Sequence, residues 1–154
     1  MADPTAAPPL RRAHAVPTHL GLRRHRRDVA RWALAHGHPV DRDSLAVIVA
    51  VRSSMGDGTL SLRWTTDDVR SLWWASTGWC LQQRVQMPAT IAPTLGTYLR
   101  YLSSHRLFAE GSDPMATLRR AVAQQDGGAA PSEDARSRHP AGGRRRLAPV
   151  LPLG

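Results

Sequence analysis

Every Trp, Tyr and Phe side chain of this chain lies between residues 32 and 108, whereas both ends are rich in small residues, proline and arginine. Residues 1–20 contain four prolines, and residues 126–154 contain five glycines and four prolines. Neither end can bury enough apolar surface to offset an ordering entropy of about 1–2 kcal/mol per residue. The sequence therefore predicts one domain over residues 21–125, between a disordered arm at 1–20 and a disordered tail at 126–154.

The positive charge of the chain is concentrated near its N-terminus. Residues 1–27 contain six arginines and one acid, whereas residues 28–125 contain ten arginines and eight acids. All 21 basic residues are arginine, a bias that a GC-rich genome also produces, so the absence of lysine carries little weight. A basic arm on a nearly neutral domain indicates contact with a polyanion and supplies no chemistry of its own.

The segment 22–36 has the periodicity of an amphipathic helix. At 100° per residue, one arc of this helix is apolar and the opposite arc is basic. The apolar arc contains Leu22, Val29, Trp32, Ala33 and His36, and the basic arc contains Arg23, Arg24, Arg27 and Arg31, with Arg26 on the flank. Gly37 then predicts the end of the helix.

The segment 45–64 has two interpretations. Residues 45–51 are continuously apolar and β-branched, and residues 59–64 alternate with period two, which together are typical of a β-hairpin. Asp41 and Asp43, however, are good cap residues for a helix. We favour a short buried helix and keep the hairpin as the alternative.

Three further helices are predicted from their start residues. Thr65, followed by acids that include Asp68, is typical of a helix N-terminus. Thr90 precedes a regular apolar stripe, and residues 111–114 offer Ser112 or Asp113 as a cap and Pro114 as a first-turn proline. The predicted fold is therefore mainly α, a small bundle of four or five helices with neighbours packed antiparallel through short connections.

No set of residues predicts catalysis, a cofactor or a metal site. His36 and His38 could provide two metal ligands, but Cys80 is the single cysteine, and zinc sites need three or four ligands. Cys80 lies on an apolar arc, where a thiol behaves as a small buried hydrophobe. The carboxylate pairs stand at helix starts, and no phosphate-binding loop or hydrolase motif occurs. We expect a protein that is not an enzyme.

No segment predicts a membrane span or an export sequence. The longest wholly apolar run, residues 45–51, is far too short to cross a bilayer. The arginine pairs near the N-terminus are not followed by an apolar stretch. A cytoplasmic location is the default expectation, and a single cysteine is compatible with a reducing compartment.

The leading functional hypothesis is a non-enzymatic nucleic-acid-binding or regulatory module whose arm and first helix contact phosphates. The candidate residues are Arg11, Arg12, Arg23, Arg24, Arg27 and Arg31. Six such contacts on duplex DNA predict a slope of log K against log salt of about −5. Phosphate contacts position a protein without determining sequence, and no helix-turn-helix pattern is present, so we expect no sequence-specific recognition.

The alternative hypothesis is a protein-interaction or assembly module. Trp73 and Trp74 are adjacent and cannot both face one apolar stripe, so we expect Trp74 near the surface as an anchor for a partner or a second copy. In this hypothesis the apolar end of the tail, residues 147–154, also docks on the partner.

Overall fold

The computed structural model describes residues 8–55 and 58–127, which form five α-helices preceded by one short 3₁₀ turn, Ala13–Ala15. The helices are α1 (Leu20–Ala35), α2 (Arg42–Ser54), α3 (Thr66–Gln83), α4 (Ile91–Ser104) and α5 (Met115–Gly127). No strand forms in these two segments, where one isolated bridge joins Arg11 to Val85. The predicted mainly α bundle is confirmed, and the tail beyond Gly127 lies outside the described residues. None of the described helices is both long and apolar enough to cross a membrane.

Helix α2 is the centre of the bundle. Every residue from 44 to 53 is buried, and α2 packs against α1, α3, α4 and the 3₁₀ turn. A helix that is surrounded on all sides must be apolar all round, which explains the continuous apolar run that also resembled a strand. Asp41 caps it by accepting a hydrogen bond from the Ser44 amide at 2.8 Å. The preference for a buried helix at 45–51 is confirmed.

The hairpin alternative over 45–64 is wrong, although the alternation that suggested it is real. Leu60 and Leu62 pack against the core and Trp64 is buried, as period two requires. The extended backbone of this segment pairs with the loop between α4 and α5 instead of a strand. The Ala109 amide donates to the Leu62 carbonyl at 3.1 Å, and the Asp113 amide donates to the Trp64 carbonyl at 2.8 Å.

Helix α1 has the basic face and the end that its sequence predicts, but His36, which was predicted on the apolar arc, is exposed at the C-cap. Val29 and Ala33 are buried, whereas the arginines of the basic arc are exposed. Gly37 has a φ of 66°, the left-handed conformation that glycine adopts at little cost. The His38 amide then donates to the Ala33 carbonyl at 2.9 Å and closes the helix.

Helix α3 begins with a complete capping box. The Thr65 hydroxyl accepts from the Asp68 amide, and the Asp68 carboxylate accepts from the Thr65 amide at 2.8 Å. Asp113, predicted as a cap for the fifth helix, instead accepts from the Thr66 amide at 2.7 Å. This contact ties the start of α3 to the segment that precedes α5.

Part of the arm predicted over 1–20 is folded onto the domain. Ala13 is only 1% exposed and belongs to the core cluster. The Gln86 amide donates to the Arg11 carbonyl at 2.9 Å, and the His14 amide donates to Asp43 Oδ1 at 2.9 Å. The predicted disorder does not extend to these residues, because backbone hydrogen bonds and one small buried side chain hold them. Residues 1–7 lie outside the described part.

Candidate anion-binding groove

The basic face of α1 lacks acidic partners. Four of its arginines are exposed and Arg26 is half-buried. None of the five forms a salt bridge with a carboxylate in 8–55 or 58–127, where the salt bridges involve Arg12, His14, Arg52 and Arg70. The five residues are Arg23, Arg24, Arg26, Arg27 and Arg31. An exposed cation without a partner in the fold is free to contact an anion from outside.

A groove of about 310 Å³ runs between α1, α2 and the 3₁₀ turn. Its lining residues come from all three elements, and most of them are basic. They are His14, Arg23, Arg26, Arg27, Ala30, Arg42 and Leu45. No carboxylate occurs among these lining residues. The groove combines four guanidinium groups with a small apolar floor formed by Ala30 and Leu45. We call it the basic groove.

Arg26 shows how closely the cations of the basic groove are packed. Its Nη2 donates to the Thr18 hydroxyl at 3.1 Å, which holds the side chain against the domain. Burial lowers the pKa of Arg26, and the positive charge of Arg23 lowers it further. Both effects disfavour the charged form, and an anion in the groove would oppose both.

Asp43 fixes the position of His14 at one end of the groove. Asp43 Oδ1 accepts from the His14 amide at 2.9 Å and lies 2.7 Å from His14 Nδ1, while Arg12 Nη1 donates to Oδ2 at 3.3 Å. Burial by itself would raise the pKa of Asp43, but the hydrogen bonds and charges of His14 and Arg12 outweigh it, and the pKa is lowered. An ionised carboxylate only accepts hydrogen bonds, so His14 Nδ1 carries a proton and Nε2 is left for a ligand.

The structure brings together four of the six arginines that were predicted to bind phosphate. Arg23, Arg24, Arg27 and Arg31 share the exposed face of α1. Arg11, in contrast, lies at the end of α3, where its Nη2 donates to the Gln83 carbonyl at 3.3 Å. Arg12 is paired with Asp43.

Sequence reasoning missed three residues that line the basic groove. Arg26 was assigned to the flank of α1, and Arg42 and His14 were not considered. His14 and Arg42 lie outside α1, beyond the turns at its two ends, so only the fold could place them beside it. Arg26 lies next to Arg27 and five residues before Arg31. Its predicted position on the flank of α1 was the sequence signal that could have placed it at the groove.

A larger recess of about 580 Å³ lies between α4 and α5. Small residues such as Gly96 and Ala123 form part of its wall, and Arg100, Arg119 and Arg120 also line it. Its lining includes the carboxylate of Asp126, which gives this recess mixed charge. Size favours this recess, and a hollow of about 550 Å³ along α1 is lined by Arg23, Arg24 and Arg27 without a described carboxylate. The basic groove differs from both because no described carboxylate lines it and its cations come from three elements, which favours it as the anion site.

Trp74 is exposed as predicted. It is 78% exposed, and Leu81, two helical turns later on α3, is 75% exposed. Trp73 is turned more toward the domain and is 36% exposed. The outer face of α3 therefore presents two large apolar side chains to solvent.

The histidines and the cysteine that were considered as metal ligands pack as ordinary side chains. His36 stacks on Trp32 with a centroid distance of 4.6 Å, and His38 lies 5.3 Å from the same ring. Cys80 is 2% exposed, and its burial raises the pKa of the thiol. The prediction of a small buried hydrophobe is confirmed for Cys80. Within the described residues no group of three His, Cys, Asp or Glu side chains is arranged to hold a metal.

Comparisons of the chain with protein-family models, with curated proteins and with solved structures found no match. Function is therefore argued from the residues of this chain. The unpaired arginines of α1 and the basic groove are the features whose charge and exposure point to a class of ligand.

Proposed function

We propose that this protein is a non-enzymatic nucleic-acid-binding module that contacts phosphates through α1 and the basic groove. The observation that carries the proposal is a set of six arginines, near one another, that form no salt bridge with a described carboxylate. They are Arg23, Arg24, Arg26, Arg27, Arg31 and Arg42. Helix α1 contains five arginines and a single acid, Asp28, which forms no salt bridge with them. Its charge is therefore more one-sided than the solubility of a solvated helix face requires.

The expected binding is electrostatic. Each arginine that neutralises a phosphate releases condensed counterions, so six contacts on duplex DNA give a slope of log K against log salt of about −5. Such contacts hold the protein on the nucleic-acid backbone and carry no sequence information. The protein would therefore bind unrelated duplexes with similar affinity.

The test is fluorescence anisotropy with a generic DNA duplex at low salt. A variant in which the four exposed arginines of α1 are changed to Glu should lose affinity by about a hundredfold or more, because most phosphate contacts are reversed in sign. A matched control changes four exposed helical arginines elsewhere to Glu. The test variant is R23E/R24E/R27E/R31E, and the control is R70E/R100E/R119E/R120E.

The two variants lower the net charge by the same amount, so their difference isolates position from charge. Undiminished binding of the α1 variant would contradict the proposal. Equal losses in both variants would also contradict it, because binding would then depend on the overall charge and not on α1.

A protein-interaction or assembly module is the second candidate, and the exposure of Trp74 favours it. An aromatic ring that is largely exposed beside Leu81 is typical of an anchor that a partner buries. Changing Trp74 to Ser should then abolish self-association in sedimentation velocity. Absence of DNA binding at low salt together with association that depends on Trp74 would favour this second function.

A further inference from the structure

We propose that the basic groove is a binding site for a phosphate monoester, carried by the end of a nucleic-acid strand or by a free nucleotide. This inference deepens the proposed function and, for a strand end, rests on it. The ligand of the groove would then differ from the internal phosphates of a nucleic-acid strand, which the exposed face of α1 would contact.

The groove has the size and the construction of a small-ligand site. Its volume of about 310 Å³ is at the lower end of the range of about 300–1,000 Å³ that small-molecule sites occupy. Its donors come from three elements, with Arg23, Arg26 and Arg27 on α1, Arg42 at the start of α2 and His14 on the 3₁₀ turn. Three elements surround a ligand more completely than one exposed helix face does.

The charge of the groove favours a monoester over a diester. A phosphate monoester carries about −1.5 to −2 at pH 7 and has three terminal oxygens, whereas an internal diester carries one charge and has two. Four arginines can share three oxygens through charge-assisted hydrogen bonds. No described carboxylate lines the groove, and Asp43 at its end is paired with His14 and Arg12, so the lining cations dominate the charge that a dianion meets.

The floor of the groove favours a nucleotide over inorganic phosphate. Leu45 is almost completely buried and Ala30 is half-buried, and both line the groove beside the arginines. Leu45 has little surface left in water, so a sugar or base that follows the phosphate would mainly cover Ala30 and the aliphatic stems of the lining arginines and remove that apolar surface from water. Inorganic phosphate would use the cations alone.

The experiment compares four probes by anisotropy and calorimetry. A single-stranded oligonucleotide with a 5′-phosphate is compared with the same strand ending in a 5′-hydroxyl, and adenosine 5′-monophosphate is compared with inorganic phosphate. We expect the 5′-phosphate to increase affinity at least tenfold and adenosine 5′-monophosphate to bind more tightly than inorganic phosphate.

Two single substitutions locate the effect. Arg42→Gln changes an exposed lining residue and should remove the preference for the 5′-phosphate. Arg31→Gln, on α1 but outside the groove lining, is the matched control and should keep the preference while weakening both strands equally. Thermal unfolding of both variants confirms that they fold.

The outcomes separate this inference from the proposed function. Equal binding of both strands, with loss in R23E/R24E/R27E/R31E, would overturn the groove site and leave the proposed function intact. Binding of adenosine 5′-monophosphate that depends on Arg42, without binding of any oligonucleotide or duplex, would support the groove as a nucleotide site and overturn the proposed function. A preference for the 5′-phosphate that survives Arg42→Gln would overturn the groove site.

Discussion

Arg52 and the arginines of α1 show two opposite uses of one side chain within the same small domain. Arg52, in the central helix α2, is 4% exposed. Its Nη1 donates to Asp68 Oδ1 at 2.9 Å, its Nη2 donates to Ser61 and to the Arg63 carbonyl, and its guanidinium lies 4.4 Å from the centre of the Trp64 ring. Four arginines of α1 face solvent, and none of its five arginines forms a salt bridge with a described carboxylate.

The difference teaches that the partner of a cation, and not its presence in the sequence, indicates its role. A buried charge is tolerated only when it is paired and hydrogen-bonded, and the planar guanidinium of Arg52 meets this need with three partners and a ring. Both of its Nη atoms donate to partners inside the fold, whereas its Nε is buried without a hydrogen-bond partner among the described residues. Its contacts lie within the domain, so Arg52 is structural. A guanidinium on α1 has its hydrogen-bonding capacity available for an external ligand.

The largest expected effect is that of Arg52→Ala. Removing one partner of a buried ion pair leaves Asp68 without its countercharge and should lower the free energy of unfolding by about 3–5 kcal/mol. Urea unfolding at pH 7 measures this loss. Arg52→Lys is the control, because it keeps a charge near Asp68 but cannot reproduce the fork of contacts, and its cost should be smaller.

A loss below about 1 kcal/mol for Arg52→Ala would break the comparison, because that value is typical of an exposed pair. Such a result would mean that water replaces Arg52 as the hydrogen-bond donor to Asp68, Ser61 and the Arg63 carbonyl. Arg52 would then differ from the arginines of α1 in burial but not in its contribution to the free energy of unfolding.

The second prediction concerns Asp68, the carboxylate that pairs with Arg52. Burial alone would raise the pKa of Asp68, but hydrogen bonds from Thr65 and the charge and hydrogen bond of Arg52 outweigh it, and the pKa is lowered. A carboxyl with a lowered pKa in the folded state stabilises the fold above its unfolded pKa of about 3.9. This stabilisation is lost as the pH falls through the lower folded pKa.

Asp68→Asn should therefore cost about 1.5–3 kcal/mol at pH 7, the value of a hydrogen bond to a charged group. The difference from the wild type should shrink below pH 4, where the wild-type carboxyl also loses its charge. Urea unfolding from pH 7 to pH 3 measures both curves. A difference that stays constant with pH would show that the charge of Asp68 does not stabilise Arg52.

Arg26 lies between the two extremes and sharpens the comparison. It is half-buried and has one side-chain hydrogen bond, to Thr18 at 3.1 Å. Arg26→Ala should lower the free energy of unfolding by about 0.5–1.5 kcal/mol, the net value of one such bond. Thr18→Val, which removes the acceptor, should give a loss of similar size, and a double mutant should show that the two losses are not additive.

Local features of the fold could be predicted from the sequence because the residues that determine them are neighbours. The capping box of Thr65 and Asp68 and the stop at Gly37 depend on contacts within a few residues. The exposed face of α1 follows from helical spacing alone, and so does the exposure of Trp74. For the same reason, four of the candidate arginines were assigned to one surface.

The remaining features depend on contacts between segments that are distant in sequence. The alternation at 59–64 correctly places Leu62 toward the core, but only the fold shows that a loop, and not a strand, pairs with this segment. In the sequence, Arg52 is an ordinary charged residue at the end of an apolar run. Only the fold brings Asp68 and Trp64 beside it. His14 and Arg42 likewise meet at the groove through tertiary packing alone.

The smallest expected effect is that of Arg27→Gln, and its sign differs from that of the other changes. Arg27 is one helical turn from both Arg23 and Arg31, and like charges at this spacing destabilise a helix by about 0.2–0.5 kcal/mol per pair. Replacing Arg27 should thus stabilise the fold by a few tenths of a kcal/mol or more at low salt, and 1 M salt should remove the gain by screening. Arg70→Gln, which loses an exposed pair with Asp67, is the control and should give no gain. If Arg27→Gln instead destabilised the domain at low salt, Arg27 would have a structural partner as Arg52 does, and the contrast between the two regions would fail at that residue.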